Sequence, residues 1–194
     1  MTKIIGLTGG IGSGKTMVAE YIKSLGIPVY IADDEARELM NTDKVIQAIS
    51  AAFGKEILND GILNRDKLAQ IVFNNPEKLT ILNNIVHPEV KKHFDIWVEK
   101  HKAYPLLFKE AAILFESGSN KDCDAVITVT APLETRLQRV MQRDKKDRES
   151  ILKRMQNQWT DEQRIAKSDY VIENLSIEAT KEHVKEILKL LKNR

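Results

Sequence analysis

Eight consecutive residues near the start of the chain, Gly9-Gly-Ile-Gly-Ser-Gly14-Lys15-Thr16, fit the pattern G-x-x-x-x-G-K-[ST]. Glycines let a backbone curl around an anion without Cβ clashes, so successive N–H groups can face phosphate oxygens. In such a loop the lysine reaches the β- and γ-phosphates and the following hydroxyl ligates Mg2+, here Lys15 and Thr16. The context fits that use. Lys3-Ile-Ile-Gly-Leu-Thr8 is a short apolar run that reads as a buried strand. A helical pattern carrying Val18, Ala19, Ile22 and Leu25 then runs from about Lys15 to a stop at Gly26. That helix adds the positive end of its dipole to the loop. The segment reads as a nucleoside triphosphate site.

Pro28-Val-Tyr-Ile-Ala32 is the next β-rich run, closed by Asp33-Asp34-Glu35. Strand, helix and strand within about thirty residues is the βαβ signature of a parallel sheet. Further buried strands are expected at Leu106–Phe108, Ala125–Thr130 and Tyr170–Ile172. Between these, helical periodicity dominates: Ala48, Ile49, Ala52 and Phe53, then Leu68, Ile71 and Val72, then Leu79, Leu82, Ile85 and Val86. Breaks are expected at Asn59-Asp-Gly61 and Pro76, and His87-Pro88 is placed between helical runs. The tail carries Val184, Ile187, Leu188 and Leu191 at helical spacing, with Lys189, Lys192 and Arg194 at its end. Those cations complement a helix dipole, so the tail reads as a sheet-packing helix. No internal repeat is visible.

Composition narrows the partners. Thirty Lys and Arg against 28 Asp and Glu leave a net charge of +2, too balanced for a protein that binds nucleic acid or acidic membrane through bulk charge. The excess is local, because residues 139–167 carry nine basic and five acidic side chains. The single Cys123 excludes an intramolecular disulfide and any cysteine-clustered metal site, and fits a reducing compartment such as the cytoplasm. No apolar run approaches the roughly 18 residues of a membrane helix. A cleaved leader is not expected, since the glycine motif begins within the first ten residues. At 194 residues, with 42% hydrophobic and 30% charged, the chain suits one globular domain with insertions.

The class of nucleotide protein follows from what accompanies the loop. Asn120-Lys121-Asp122-Cys123 misses the guanine-reading Asn-Lys-x-Asp at its last position, and no Asp has Gly three residues on. Val29-Tyr-Ile-Ala-Asp33-Asp34 imitates the acidic strand end of a motor-type ATPase but lies only one helix past the glycine loop. A small kinase fits better; such an enzyme covers the reacting phosphates against water. Asp33 sits where the second strand is expected to end, at the ligand-binding edge of an open α/β sheet. It suits a base for an attacking hydroxyl, a holder of a magnesium-bound water, or a helix N-cap. The arginines of 136–143 suit a phosphoryl clamp or a solvated helix face. His87 has no partner cluster pointing to a metal.

The chain also resembles a known family. Thr8-Gly-Gly-Ile-Gly-Ser-Gly-Lys-Thr16, Leu25-Gly26, Ala32-Asp33, Ala36-Arg37 and Phe53-Gly54 are shared, followed by Asp60-Gly-Ile-Leu63-x-Arg65-x-x-Leu68, Val72-Phe73-x-x-Pro76 and His87-Pro88. Leu114-Phe-Glu116, Arg139-Val-x-x-Arg143-Asp144 and Gln163-Arg-x-Ala166-x-x-Asp169-x-Val171-Ile-x-Asn174 follow in the right order. In these it is similar to the dephospho-coenzyme A kinases.

The resemblance implies an α/β P-loop kinase fold, a five-stranded parallel sheet flanked by helices, with a helical substrate-binding insertion and a lid. It assigns 1–33, 104–138 and 168–194 to the core, 34–103 to the insertion and 139–167 to the lid. It implies the last step of coenzyme A synthesis, in which MgATP phosphorylates the ribose 3′-hydroxyl of dephospho-CoA. The catalytic residues it implies are Asp33, Lys15 and Arg143. ATP would be bound by Gly10, Ile11, Gly12, Ser13, Gly14, Lys15, Thr16, Met17, Arg139 and Arg143, with Thr16 on the Mg2+. Dephospho-CoA would be bound by Asp33, Arg65, His87, Pro88 and Glu110. ATP and dephospho-CoA are the expected partners, with no nucleic acid or membrane, in a monomer or weak oligomer.

Three positions depart from the family pattern. Ile31-Ala32-Asp33 keeps only the second acid of Asp-Ala-Asp, and Glu110-Ala-Ala-Ile-Leu-Phe-Glu116 replaces Asp-x-Pro-Leu-Leu-Phe-Glu. Met17 stands where a second hydroxyl residue is usual. The rivals are another small-molecule or nucleoside monophosphate kinase on the same fold, and a non-catalytic nucleotide sensor.

Overall fold

The computed structural model describes residues 2–73 and 75–193, without the side chain of Phe73; Arg194 lies outside the described residues. They form two compact units, one of residues 1–31 and 101–194 and one of residues 32–100.

The first unit is built on five parallel strands in the order β2-β5-β1-β6-β7. These are β1 (Lys3–Thr8), β2 (Val29–Ile31), β5 (Leu106–Glu110), β6 (Ala125–Thr130) and β7 (Tyr170–Glu173). All five residues of β5 are buried, as a central parallel strand covered on both faces requires. Helices α1 (Lys15–Ser24) and α9 (Ile177–Asn193) share one apolar cluster with the sheet. Its members include Val18 and Ile22 of α1, Ile5 and Leu7 of β1, and Val184, Ile187 and Leu188 of α9. The tail helix thus buries the apolar stripe its spacing indicates. Helices α6 (Leu133–Asp144), α7 (Arg148–Gln156) and α8 (Asp161–Ile165) lie between β6 and β7 in the chain.

The second strand is shorter than expected. Pro28 precedes it, although its carbonyl still accepts the Phe108 N–H at 2.9 Å, and Ala32 already begins α2 (Ala32–Leu39). Asp33, Asp34 and Glu35 fill the first turn of α2, where carboxylates complement the positive end of the dipole. Asp33 is therefore a residue of the helix and not its N-cap.

The second unit holds α2, α3 (Asp43–Phe53), α4 (Arg65–Phe73) and α5 (Pro76–Lys100). Its cluster gathers Val45, Ile49, Ile57, Leu63, Leu68, Val72 and Val86. Pro76 opens α5 at its first helical position, where a missing N–H costs nothing, and the Asn75 carboxamide oxygen accepts the Lys78 N–H at 3.0 Å.

One expectation fails here and another is refined. His87-Pro88 does not separate two helices, because Pro88 lies inside the 25 residues of α5. Leu82, Ile85 and Val86 before it and Val90 after it pack on the same cluster, so burial on both sides offsets the lost backbone bond. Asn59-Asp-Gly61 is not a plain break but the turn of a hairpin. Strand β3 (Leu58–Asn59) pairs antiparallel with β4 (Ile62–Leu63), and Asp60 (φ 49°) and Gly61 (φ 81°) are both left-handed, as a two-residue hairpin turn demands.

Phe108 lies at the centre of β5, fully buried. Phe108→Ala is expected to lower unfolding stability by about 3–5 kcal/mol, the range for deleting a buried aromatic ring. Urea denaturation checks this through a lower midpoint at unchanged m-value.

Candidate active site

Strand β1 ends at Thr8, and the chain turns through Gly9–Gly14 into α1. Ser13 N–H donates to the Gly10 carbonyl at 3.1 Å and closes the turn. Gly14 is the left-handed N-cap of α1, φ 95°, and a Cβ there would strike the Asn174 carboxamide. Only glycine satisfies both demands.

The loop turns its carbonyl oxygens outward. The Ile11 carbonyl accepts Arg136 Nε at 2.9 Å and the Ser13 carbonyl accepts Asn174 Nδ2 at 2.8 Å. Arg139 Nη1 lies 3.4 Å from the Ser13 carbonyl and 3.5 Å from that of Gly12, while its Nη2 donates to the Asn174 carbonyl at 3.0 Å. The N–H groups of Gly12, Gly14, Lys15 and Thr16 donate to no protein acceptor among the described residues. A row of free amides at a helix N-terminus is an anion site.

Lys15 Nζ sits 3.1 Å from Glu110 Oε1, with side chains only 13% and 6% exposed. Glu110 reaches the loop because it ends β5, paired in register with Leu7 of β1. Removing one partner of so buried a pair would leave an uncompensated charge. Thr16 is exposed one residue on, and Met17 packs against the sheet core. The hydroxyls of Thr8 and Ser13 are buried with no hydrogen-bond partner among the described residues.

A second layer of charge lies beside the loop. Asp161 Oδ2 accepts from Arg136 Nη1 at 2.8 Å and from Thr130 Oγ1 at 2.5 Å, and Asp161 Oδ1 lies 3.5 Å from Arg164 Nη1. Arg164 is fully buried and donates to Glu116 Oε1 at 3.1 Å. Burial lowers its pKa from the usual arginine value, while Glu116 and Asp161 oppose that shift. Sequence reading named Arg136 only as part of a run and gave no site role to Asp161, Arg164 or Glu116. Glu116 and Arg164 were signalled only by their place in shared motifs, and Asp161 by none. The Arg136–Asp161 and Arg164–Glu116 pairs span 25 and 48 residues and carry no local pattern; only Asp161 and Arg164 are neighbours in sequence.

The other candidate residues divide between the units. Arg143, at the end of α6, is 62% exposed and pairs with Asp144, Nε to Oδ1 at 2.7 Å. Asp33, Arg65, His87 and Pro88 all belong to the helical unit. Asp33 is exposed. Arg65 Nη2 donates to the Arg37 carbonyl at 2.8 Å and to Asn41 Oδ1 at 3.0 Å, tying α4 to the end of α2. Partial burial lowers the His87 pKa from its ordinary value, which favours the neutral imidazole. Burial pushes the Cys123 thiol up to about 11, so it is no nucleophile.

Asp144 holds two arginines, Arg143 and Arg154, the latter at 2.8 Å. Their hydrogen bonds bring its pKa down from 3.8 to about 2. A carboxyl depressed in the folded state stabilises it fully above its unfolded pKa, and that contribution is lost as pH falls through the folded value. Asp144→Asn is therefore expected to be less stable than the parent at neutral pH, with the gap closing as pH falls toward about 2. Urea midpoints across that range check it; a gap that persists undiminished in acid rejects the assignment.

A family model for dephospho-CoA kinase matches residues 3–179. A dephospho-CoA kinase of Bacteroides fragilis (strain YCH46) is 37% identical over 96% of this chain and 90% of its own length. One from Chlorobium chlorochromatii is 43% identical over 88% of this chain and 84% of its own. Among solved structures, TT1252 from Thermus thermophilus superposes with a TM-score of 0.86 at 34% identity, covering 97% of both chains. Dephospho-CoA kinase from Campylobacter jejuni gives 0.65 at 25% identity, covering 100% of this chain and 99% of that one. A shikimate kinase from Acinetobacter baumannii shares the fold, with a TM-score of 0.54 at 20% identity over 100% of this chain and 94% of its own. With the glycine loop, the buried Lys15–Glu110 pair and the parallel sheet beneath them, these matches agree on one assignment: the chain belongs to the dephospho-CoA kinase family.

Proposed function

We propose that this chain transfers the γ-phosphoryl group of ATP to the ribose 3′-hydroxyl of dephospho-CoA, the step that completes coenzyme A. The observation that carries the reading is the glycine loop with outward carbonyls, free amides and a buried lysine, in a chain of this family. Phosphoryl transfer asks little covalent chemistry of a protein, so positioning and charge neutralisation supply most of the acceleration.

Each residue then has a role. The amides of Gly12, Gly14, Lys15 and Thr16 take the phosphate oxygens, with Gly10, Ile11 and Ser13 shaping the loop and Met17 anchoring the start of α1. Lys15 leaves Glu110 for the β/γ-phosphates. Asp33, two residues past the end of β2, accepts the proton of the attacking hydroxyl. Arg139 and Arg143 face the nucleotide, and Arg65, His87, Pro88 and Glu110 serve the acceptor side. Segments 1–33, 104–138 and 168–194 act as the core, 34–103 as the acceptor-binding insertion and 139–167 as the cover.

The donor set fits a Mg2+ ion carried in by the nucleotide. The exposed Thr16 hydroxyl and the Glu110 carboxylate offer hard oxygens, and no cluster of three His, Cys, Asp or Glu that could hold a resident metal exists among the described residues. Held there by Thr16 and Glu110, the ion would neutralise the charge that develops on the phosphates. No described helix is long and apolar enough to cross a membrane. A cytoplasmic monomer or weak oligomer completes the reading.

ADP release from MgATP, measured with and without dephospho-CoA and with the phosphate position determined on the product, tests the function. A 3′-phosphorylated product formed only with acceptor is expected; ADP that appears only with another acceptor sinks the substrate assignment. Lys15→Ala and Asp33→Ala are each expected to lower kcat at least about a hundredfold. A near-normal kcat in Asp33→Ala would leave Asp33 its helix-dipole role alone.

A further inference from the structure

Ile11 stands at the tip of the glycine loop and gives both of its backbone polar groups to side chains. Its N–H donates to Gln158 Oε1 at 3.1 Å, and its carbonyl accepts Arg136 Nε at 2.9 Å. Its side chain packs on Leu137, Val140 and Ile151, the core of the α6–α7 pair. Each bond fixes one peptide plane. The Gly10–Ile11 peptide is held at its oxygen by Ser13 N–H, at 3.1 Å, and at its nitrogen by Gln158. The Ile11–Gly12 peptide is held at its oxygen by Arg136, which leaves the Gly12 N–H on the opposite side of that plane, free of protein.

These planes need holding. Gly10 leaves the Gly10–Ile11 plane free to rock about its own ψ, and Gly12, left-handed at φ 82°, lets the Ile11–Gly12 plane turn with little steric resistance. Because N–H and C=O of one peptide move together, a rotation of the Gly10–Ile11 plane would pull the Gly10 carbonyl from its closing turn. It would also disturb the row of amides that meets the phosphates. A carbonyl dipole aimed at a phosphate repels it.

Gln158 is well placed to prevent this, because it and the residues that follow it are held in place. Its N–H donates to the Met155 carbonyl at 3.1 Å. Trp159 N–H donates to Glu116 Oε1 at 2.9 Å, its ring stacks on Phe115 with centroids 5.6 Å apart, and its carbonyl accepts Arg164 Nη1 at 2.5 Å. Thr160 and Gln163 form a reciprocal capping box at the start of α8.

We propose that Gln158 is a positioning residue for the phosphoryl donor: its side-chain carbonyl fixes the Gly10–Ile11 peptide and thereby presets the amides that bind the ATP phosphates. The inference rests on the ATP-site reading of the loop but not on the identity of the acceptor.

The test uses the full chain and Gln158→Met, which keeps the length and apolar packing of the side chain but offers the Ile11 N–H no carbonyl. Calorimetric binding of the non-hydrolysable analogue AMP-PNP with Mg2+ is expected to weaken about tenfold, as for a lost hydrogen bond that leaves a sheltered N–H unmet. The KM for ATP should rise by a similar factor. The KM for dephospho-CoA and the kcat should stay within about twofold, and the melting midpoint within a few degrees. Unchanged or tighter nucleotide binding overturns the proposal. So does an equal rise in both KM values with a falling midpoint, which marks a merely structural role. Should Gln158→Met fail to fold, Gln158→Asn, one methylene short of the Ile11 N–H, gives the same readouts. AMP-PNP binding needs no acceptor, so an enzyme inactive toward dephospho-CoA would refute the substrate reading while leaving this one intact.

Discussion

A backbone that offers N–H groups to an anion has to keep its carbonyl oxygens out of the way, and no repetitive secondary structure does that for a glycine-rich turn. Here the restraint comes from side chains. Arg136, Arg139 and Asn174 accept the task of holding Ile11, Gly12 and Ser13 from outside. Asn174 is in turn held by Thr180 at 3.0 Å, and Arg136 by Asp161. The consequence is that β6, β7, α6, α8 and α9 all contribute to the shape of a loop that belongs to β1 and α1. The sheet brings these elements to one edge, and the polar side chains convert that proximity into a fixed peptide geometry.

The Lys15–Glu110 pair adds a second constraint. Two nearly buried charges at 3.1 Å satisfy each other when no phosphate is present, which avoids the cost of an isolated ammonium in a dry pocket. A triphosphate carries several negative charges and outbids one carboxylate for the lysine.

How much of this could be read in the sequence depended on the range of the interaction. The five strands are legible because buried parallel strands are short apolar runs, and α9 because its apolar spacing is unambiguous. The glycine motif is legible because its chemistry is local. The hairpin at Asp60-Gly61 was not, since strands of two residues have no periodicity to detect, although the Asp-Gly pair itself was a turn signal. Pro88 misled because proline in a helix is decided by packing on either side of it, which only the folded unit supplies. The Arg136, Asp161, Arg164 and Glu116 network was invisible as a network: charged residues far apart in sequence look like solvated surface until a fold brings them together and takes the water away.

The order of the strands also says something about how the protein comes off the ribosome. The central strand β1 is made first, yet its two neighbours, β5 and β6, begin at residues 106 and 125. At the usual elongation rate of roughly 5–20 residues per second, the apolar Lys3–Thr8 segment waits seconds for a partner. The apolar cluster of residues 32–100, by contrast, draws only on its own segment and is complete in sequence before β5 emerges. The nucleotide loop is therefore made well before the residues that shape it, since Gln158 and Asn174 must both arrive before its peptides are pinned. A nascent chain stalled short of them would carry the motif without the site.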